Sequence, residues 1–179
     1  TVAAWICSSN LVGEHAIAGE TSGYTLKTSG TVLRFTTPGI KDHPFAAGFV
    51  TGQWYHVAVT FQAGVSNGCK FYINGELRGS TNASAKNLTV NPTWIGRNQW
   101  GQYFSGLLDD IRIYRVALSA SDIASLYANH APVFVANPMV LPGAAAETNY
   151  EGETLAERAT DSDSSDVLHF RKIAGPDWL

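Results

Sequence analysis

The sequence of 179 residues is poor in charged side chains and contains no long hydrophobic run. Charged residues make up 15% of the chain, against roughly 25% in an average globular protein, and the formal net charge is -3. Such a chain lacks the positive field that binding to nucleic acid requires. No stretch reaches the about 18 consecutive apolar residues that a membrane-spanning helix needs. We therefore expect neither nucleic acid nor a membrane as a partner.

The chain also has little cysteine and none of the common catalytic motifs. Cys7 and Cys69 are the only two cysteines, and neither belongs to a C-x-x-C or histidine-rich metal pattern. Two alternatives stay open for this pair. A secreted protein could form a disulfide between them, or both could remain separate thiols. No strand carries paired carboxylates on one face, and no G-x-S-x-G, H-E-x-x-H or phosphate-loop motif is present. We therefore predict no catalytic residues.

Glycine, β-branched and aromatic residues are abundant and occur in short alternating segments. Residues 53–61 alternate apolar and polar side chains, as a half-buried strand does. Asn74 and Gly75 join two short strands, and this pair favours a tight hairpin because both residues tolerate positive φ. Residues 24–37 read as two more strands around a Ser-Gly turn. Strand after strand without helices between them predicts an all-β protein, with two antiparallel sheets packed as a jelly-roll sandwich.

One helix and a change of composition divide the chain. Residues 118–130 predict a helix, because Ser119 can cap its start and Asp122 follows at capping-box spacing. After this helix the sequence becomes rich in proline and acidic residues. We therefore predict one domain over residues 1–130 and the start of a second β module over residues 131–179.

The first domain carries a series of motifs whose order is typical of a known family. The motifs are Trp54-x-His56-Val57, Tyr72–Gly75, Ile95-Gly96-Arg97 and Gly106-x-x-Asp109-Asp110-Ile111-Arg112-Ile113-Tyr114. With them, residues 1 to about 128 resemble the laminin-G-like, concanavalin-A-like jelly rolls of secreted bacterial proteins. The resemblance implies a secreted or cell-surface location. It also implies further strands ahead of the segment that opens this sequence, which would complete the sheets.

The remainder of the chain resembles a different kind of module. The motifs are Tyr150-x-Gly152, Thr154-Leu155, Ala159-Thr160-Asp161-x-Asp163 and Gly175-Pro176-x-Trp178-Leu179. They are similar to the opening half of a cadherin-like or Ig-like bacterial module. Such modules usually serve as spacers, so the resemblance implies a multi-domain protein.

Two adjacent aspartates, Asp109 and Asp110, stand near the start of a predicted strand over residues 105–115. Strand alternation places Asp109 on the same face as Ile111, which should be the core face. An ionised carboxylate in the core is costly unless it is paired or binds a metal. The family resemblance implies a structural calcium ion, with Asp109 and Asp110 as candidate ligands. Backbone N–H bonds or an arginine partner are the alternative.

Trp100 lies among polar residues and glycine, where nothing in the sequence calls for burial. Indole faces stack on sugar rings, and amide or guanidinium groups hydrogen-bond to hydroxyls. A Trp folded back over the end of the sandwich, or one contacting a protein, is the alternative. A second candidate rim lies in the predicted loop 38–50, which could also be a plain connection. The predicted ligand-binding residues are Arg97, Asn98, Gln99, Trp100 and Tyr103, with His43 and Phe45 from the second rim.

Together these features predict a non-catalytic carbohydrate-binding module of a secreted, multi-domain polysaccharide-active protein. Its partners would be a polysaccharide or glycan and the neighbouring domains of the same polypeptide. Any catalytic activity would belong to the parent protein, which would be a glycoside hydrolase, a lyase or a sulfatase. Two other functions stay open: an adhesion or scaffold domain, with an apolar patch around Trp100, and a structural module that orients a neighbouring catalytic domain.

Overall fold

The computed structural model describes residues 1–20, 22–85 and 93–128, together with the backbone of two short segments near 133 and 159. The chain divides into two compact units, Thr1–Tyr127 and Ala128–Leu179. The described residues up to 128 contain the following elements: β1 (Val2–Ser8), β2 (Glu14–Glu20), β3 (Thr25–Ser29), β4 (Val32–Thr37), β5 (Lys41–Ala46), β6 (Trp54–Phe61), β7 (Cys69–Ile73), β8 (Glu76–Thr81), β9 (Thr93–Ile95), β10 (Gly106–Ile113) and α1 (Ala120–Ala128).

Two five-stranded antiparallel sheets form the sandwich. Sheet 1 has the strand order β10-β1-β6-β7-β8, and sheet 2 has the order β5-β4-β3-β2-β9. The core between them contains the apolar residues that alternate along the strands, among them Ala4, Ile6, Ile17, Leu26, Leu33, Phe35, Val57, Val59 and Phe71. Burying each of the larger side chains contributes about 1.5–3 kcal/mol. The predicted all-β jelly-roll sandwich is confirmed.

The predicted hairpin and helix cap are also confirmed. Asn74 and Gly75 both have positive φ, at 50° and 78°, as their hairpin turn between β7 and β8 requires. The Ser119 N–H donates to the Asp122 carboxylate (2.9 Å), and the Asp122 N–H donates to Ser119 Oγ (3.1 Å). This reciprocal pair forms the capping box that starts α1.

The helix α1 covers the outer face of sheet 1. Its buried residues Ile123 and Leu126 pack against three side chains of the sheet, Ala3, Ala58 and Tyr72. No helix in the described part of the chain combines the length and the apolarity that crossing a membrane requires.

The predicted loop 38–50 is wrong in part, because residues 41–46 form the edge strand β5. This strand pairs with β4 on one side only, so Pro44, which has no N–H group, fits without loss of a ladder bond. β2 was not predicted at all. It pairs with β3 through an irregular register between Ala16 and Ala18, which weakens the alternation that would have indicated it.

The two long sides of the sandwich differ. On the side of β5 and β8, Phe45 fills the space above Gly79, where any Cβ atom would meet the Phe45 ring at 2.7 Å. On the opposite side β9 and β10 are the edge strands, and a cleft of about 480 Å3 is lined by residues of both sheets, among them Glu20, Tyr24, Val59 and Ile113.

In the second unit, β11 (Val133–Phe134) pairs antiparallel with β12 (Ala159–Thr160). The motifs assigned to a cadherin-like or Ig-like module otherwise lie outside the described residues. The identity of the second module therefore stays a prediction.

Candidate functional site

The candidate site is built on the loop that follows β9, which we call the Trp100 loop (residues 97–103). A bridge between Arg97 and Tyr103 closes its base. Asn98 is fully buried inside it, and its Oδ1 accepts hydrogen bonds from the N–H groups of Trp100 (3.1 Å) and Gln102 (3.2 Å). Its Nδ2 donates to Gln102 Oε1 (2.6 Å). Asn98, predicted to bind ligand, therefore has no free polar atom of its amide and instead fixes the backbone beneath Trp100.

A network of charged residues lies on the outer face of sheet 2, next to this loop. Gln102 Nε2 donates to the Glu14 carboxylate, which also accepts from Lys27 Nζ (2.9 Å) and Arg34 Nη1 (2.9 Å). Arg34 Nη1 lies 3.4 Å from Asp42 Oδ2. Glu14, Lys27, Arg34 and Asp42, one from each of β2 to β5, are called the polar network below.

Strand alternation explains why these charges share one face. Lys27 and Arg34 lie opposite each other in the β3–β4 hairpin. Their neighbours Leu26, Leu33 and Phe35 all face the core and are fully buried, so the two charged side chains face outward. Two cations and two carboxylates balance, which makes the network electrically neutral.

The network holds Glu14 in its ionised form. Burial would raise the pKa of Glu14, but the hydrogen bonds from Lys27 and Gln102 and the charges of Lys27 and Arg34 together lower it. Lys27 is 5% exposed and depends on this carboxylate for compensation. Loss of Glu14 would leave a buried ammonium group without an anion, which is the costly case.

Trp100 lies above the network with half of its surface in solvent. Its exposed fraction is 50%, and Lys27 Nζ lies 5.6 Å from the centroid of its ring. The hydrogen bonds of Asn98 fix its backbone, and the ammonium group supports the ring. The backbone at Trp100 is therefore held by hydrogen bonds while its indole stays half exposed.

Arg97 and Tyr103 extend the exposed surface. The Arg97 guanidinium lies 4.8 Å from the Trp94 ring centroid and 5.9 Å from that of Tyr103. Tyr103 is 62% exposed. Gln99, the remaining predicted residue of this group, is half-buried next to Trp100.

The second predicted rim is not present as such. His43 is fully buried, with Nδ1 3.1 Å from Thr81 Oγ1, and burial lowers its pKa. Phe45 is half-buried and stacks on Phe71 at a centroid distance of 5.4 Å. Alternation in β5 turns these two side chains toward the core, so the geometry gives no support to a ligand contact by either residue, and both contacts stay predictions.

The expected inward position of Asp109 is also wrong. Asp110 has a positive φ of 43°, where the pairing of β10 with β1 is irregular. This irregularity reverses the alternation, so that Leu108 and Ile111 pack on the core and Asp109 is exposed. Asp110 forms an ion pair with Arg112 (2.7 Å).

These positions do not provide the donor set of a calcium site. One Asp109 oxygen accepts the Asp110 N–H, and the Asp110 carboxylate is engaged by Arg112. Across residues 1–20, 22–85 and 93–128, no three acidic, histidine or cysteine side chains converge as metal ligands. Calcium at this strand stays a prediction from the family resemblance, without support from the geometry.

The disulfide alternative for the two cysteines is wrong, because both are free. Cys7 pairs with Trp54 at the start of β6, whereas Cys69 pairs with Phe61 at its end. The length of β6 between those positions is about 23 Å at the usual rise per residue. A disulfide needs Cα atoms within about 7 Å.

Trp94 and most of the polar network are not among the residues predicted from the sequence. A signal was present, because each strand of the 24–37 segment places one cation between core residues, in LKT and LRF. Once the Ser-Gly turn sets the register, Lys27 and Arg34 must face each other across the hairpin. The role of Glu14 could not be inferred in the same way, since β2 itself was not predicted.

The geometry above defines a two-sheet β-sandwich with an aromatic loop over one outer face. A family model described as the concanavalin A-like lectin/glucanases superfamily, of laminin G type, matches residues 1–124. The chain belongs to this superfamily, as the order of its motifs indicated.

Three solved structures illustrate the likeness. Domain 4 of AbnA, a GH43 extracellular arabinanase from Geobacillus stearothermophilus in complex with arabinotriose, is 25% identical, with a TM-score of 0.54 over 70% of this chain and 65% of that one. A Bacteroides ovatus protein to which carbohydrate binding is provisionally assigned is 20% identical, with a TM-score of 0.58 over 69% and 39%. A native heptameric SAP-like pentraxin from Limulus polyphemus is 19% identical, with a TM-score of 0.55 over 70% and 68%.

The chain thus spans 39% of the length of the Bacteroides protein and 65% of the length of the arabinanase domain. The similarities below 25% identity show the fold alone. A search of curated proteins found no match to this chain.

Proposed function

We propose that the chain is a non-catalytic carbohydrate-binding module, which binds a glycan at the Trp100 loop on the outer face of sheet 2. The observation that carries the proposal is the half-exposed indole of Trp100, which stands on a loop whose backbone Asn98 holds and has the Lys27 ammonium group near its ring. A preorganised aromatic surface loses little conformational freedom when a ligand binds. The arabinanase domain solved with arabinotriose supports the same class of ligand.

The chemistry of the loop suits a polyhydroxylated ligand. The rings of Trp100 and Tyr103 offer apolar faces for sugar C–H groups. Arg97 and Gln99 offer hydrogen-bond donors within the same loop. A shallow site of this kind binds with a free energy on the order of 4 to 8 kcal/mol. Tethering to an enzyme with the same polysaccharide substrate raises the effective affinity.

The electrostatics of Glu14 support a binding role rather than hydrolysis. A general acid that cleaves a glycosidic bond needs a raised pKa. The pKa of Glu14 is lowered instead, and its carboxylate is occupied by Lys27, Arg34 and Gln102. A secreted, multi-domain parent protein that acts on the polysaccharide completes the proposal and rests on the family resemblance.

Affinity gel electrophoresis in neutral polysaccharides, arabinan among them, tests the proposal. We expect retardation of the native protein in at least one gel and loss of that retardation in Trp100→Ala. Trp54→Ala is the matched control, since Trp54 is 44% exposed but lies in sheet 1. Equal retardation of the native protein and Trp100→Ala would refute the assignment of the site.

A protein-binding role is the second candidate, and one observation favours it. The surroundings of Trp100 are charged rather than apolar. On the side of the sandwich formed by the edge strands β9 and β10, however, several apolar side chains are exposed: Ile95 (57%), Leu107 (60%), Ile113 (44%) and Val116 (61%). A protein partner released by Leu107→Asp and retained by Trp100→Ala would show that this side, and not the Trp100 loop, makes the functional contact.

A further inference from the structure

Arg97 is the one cation of the Trp100 loop, and two aromatic rings hold its guanidinium group. The group lies 4.8 Å from the Trp94 centroid and 5.9 Å from the Tyr103 centroid, and the side chain is exposed. A guanidinium near the faces of aromatic rings is attracted to them through its charge and spends none of its N–H groups on a hydrogen bond. Because the side chain is exposed, these N–H groups stay accessible to a ligand.

Arg97 differs in its charge balance from the two cations beneath the loop. Lys27 and Arg34 both have carboxylate partners, Glu14 for the first and Glu14 and Asp42 for the second. In the part of the chain that the structure describes, no carboxylate lies within 4.0 Å of Arg97, and its side chain makes no hydrogen bond. The polar network is neutral, whereas the charge of Arg97 has no carboxylate partner among the described residues.

This arrangement matches an anionic ligand better than a neutral one. The planar N–H fork of an arginine fits the two oxygens of a carboxylate or a sulfate, and such charge-assisted bonds are about twice as strong as neutral ones. A neutral hydroxyl group accepts one hydrogen bond from the guanidinium group and does not compensate its positive charge. We infer, on the basis of the proposed function, that the glycan bears an acidic group, carboxylate or sulfate, which the Arg97 guanidinium binds while Tyr103 or Trp100 contacts a sugar ring.

The net charge of the chain makes this inference open to a clean test. At -3, the protein as a whole repels polyanions. Preferential retention by an acidic polysaccharide therefore requires a local site rather than general attraction.

Affinity electrophoresis in matched pairs of gels separates the possibilities. The pairs are polygalacturonic acid against its methyl ester, for a carboxylate, and dextran sulfate against dextran, for a sulfate, with arabinan as an additional neutral polymer. The variants are Arg97→Gln, Arg97→Lys and the control Arg78→Gln, which removes the same charge from an exposed position of sheet 1.

The expected result is stronger retardation of the native protein by the acidic member of one pair. Arg97→Gln should weaken that binding at least about tenfold, the usual scale for a lost hydrogen bond to a charged group. Binding to the neutral member should fall much less, because Arg97 offers a neutral polymer only an uncharged acceptor's hydrogen bond. Arg97→Lys keeps the charge but not the fork and should give an intermediate value. Arg78→Gln should behave as the native protein.

Two other outcomes would overturn the inference, and they differ in whether the proposed carbohydrate-binding function stands. If the native protein binds acidic and neutral members equally, or if Arg97→Gln weakens both equally, the anionic preference is refuted and the carbohydrate-binding function stands. If the native protein is retarded in none of the gels, both fall. Thermal melting of Arg97→Gln, expected at the native midpoint, ensures that a weaker interaction reflects the lost side chain rather than a disordered loop.

Discussion

Helix α1 covers the outer face of sheet 1 with apolar side chains, whereas the Trp100 loop covers the outer face of sheet 2 with hydrogen bonds and ion pairs. Ile123 and Leu126 bury themselves against Tyr72 in the first case. In the second case Gln102 donates to Glu14, which binds Lys27. A face that is covered by apolar packing has little surface that a soluble ligand can reach. A charged face beneath a half-exposed loop stays accessible to such a ligand.

Two tryptophans show the same contrast. Trp5 stacks on Tyr127 at a centroid distance of 5.5 Å and meets His56 edge-on at 5.6 Å, so neighbouring rings occupy its surface. Trp100 has the Lys27 ammonium group 5.6 Å from its ring centroid and is half exposed. The rings around Trp5 make it part of the packing on sheet 1, whereas half of the surface of Trp100 stays accessible to a ligand, as the proposed function requires.

The largest predicted effect concerns the apolar face. Ile123→Ala should lower the free energy of unfolding by about 2–5 kcal/mol, because it leaves a cavity at a fully buried position. Urea denaturation measures this, and glycan binding of the folded variant should be unchanged. Ser125→Ala, on the exposed side of α1, is the control. A parallel loss of binding would mean that the two faces are not independent.

The next effect concerns the polar network. Glu14→Ala should lower the free energy of unfolding by about 1–3 kcal/mol, the cost of leaving Lys27 without its partner. Unlike Ile123→Ala, it should also weaken glycan binding, because Gln102 loses the acceptor that ties the loop to β2. Glu76→Ala, at an exposed position of β8, should change neither quantity. Binding unaltered in Glu14→Ala would show that the loop does not depend on the network.

The two faces should also respond to acid in different pH ranges. The pKa of His56 is lowered from 6.5 to about 4. Burial is the main cause; the charge of Asp110 acts in the opposite direction, and the charge of Arg112 acts in the same direction as burial. The unfolded state then binds more protons between those values, so stability falls as the pH drops from 6.5 toward 4, by up to about 1.4 kcal/mol per pH unit. The pKa of Glu14 is lowered below 4.5, and its contribution is lost only at more acidic pH.

Denaturation curves across this range for the native protein, His56→Gln and Glu14→Gln measure both contributions. His56→Gln should flatten the dependence between pH 6.5 and 4, and Glu14→Gln should flatten it only below pH 4.5. Since burial also lowers the pKa of His43, part of the upper slope should survive in His56→Gln. Identical slopes for native protein and His56→Gln would contradict a neutral, buried His56.

Much of the fold follows from local sequence signals. The Asn74-Gly75 turn, the capping box at Ser119 and the alternation of residues 53–61 all report on neighbouring residues, and all three hold in the structure. The errors arise where the register is irregular. The positive φ of Asp110 reverses the faces of β10, which no alternation rule anticipates.

The site was predicted only in its exposed part for the same reason. Trp100 and Tyr103 stand out as aromatic residues in a polar loop, and both are exposed. The supporting contacts from Glu14 and Lys27 come from strands distant in sequence, and their convergence depends on the pairing of β2 with β3. Asn98 shows how far sequence reasoning reaches. Its amide side chain in a polar loop suggests a ligand contact, whereas in the structure it is buried and supports the backbone of the Trp100 loop.

A smaller effect is expected for the stability contribution of Trp100 itself. Trp100→Ala should change the free energy of unfolding by no more than about 1 kcal/mol, since the ring is half exposed and a cation–π contact at the surface contributes little. Trp5→Ala, which removes a stacked ring from the other face, should cost several times as much. Comparable losses in the two variants would mean that Trp100 is a structural residue.

The smallest effect is expected from calcium chelation. Asp109 is exposed and Asp110 is paired with Arg112, so the melting midpoint should change little when calcium is replaced by a chelator. A midpoint that falls on chelation in the native protein but not in Asp109→Asn would establish the ion that the family resemblance implies.

The most direct test of glycan binding on the outer face of sheet 2 follows the indole N–H resonances of the five tryptophans during titration. Arabinotriose and trigalacturonate are the probes, as a neutral and an acidic oligosaccharide. We predict that at least one of them shifts the Trp100 resonance and leaves those of Trp5 and Trp54 in place. Shifts at Trp5 or Trp54 with Trp100 unmoved, or no shift at all, would contradict the assignment.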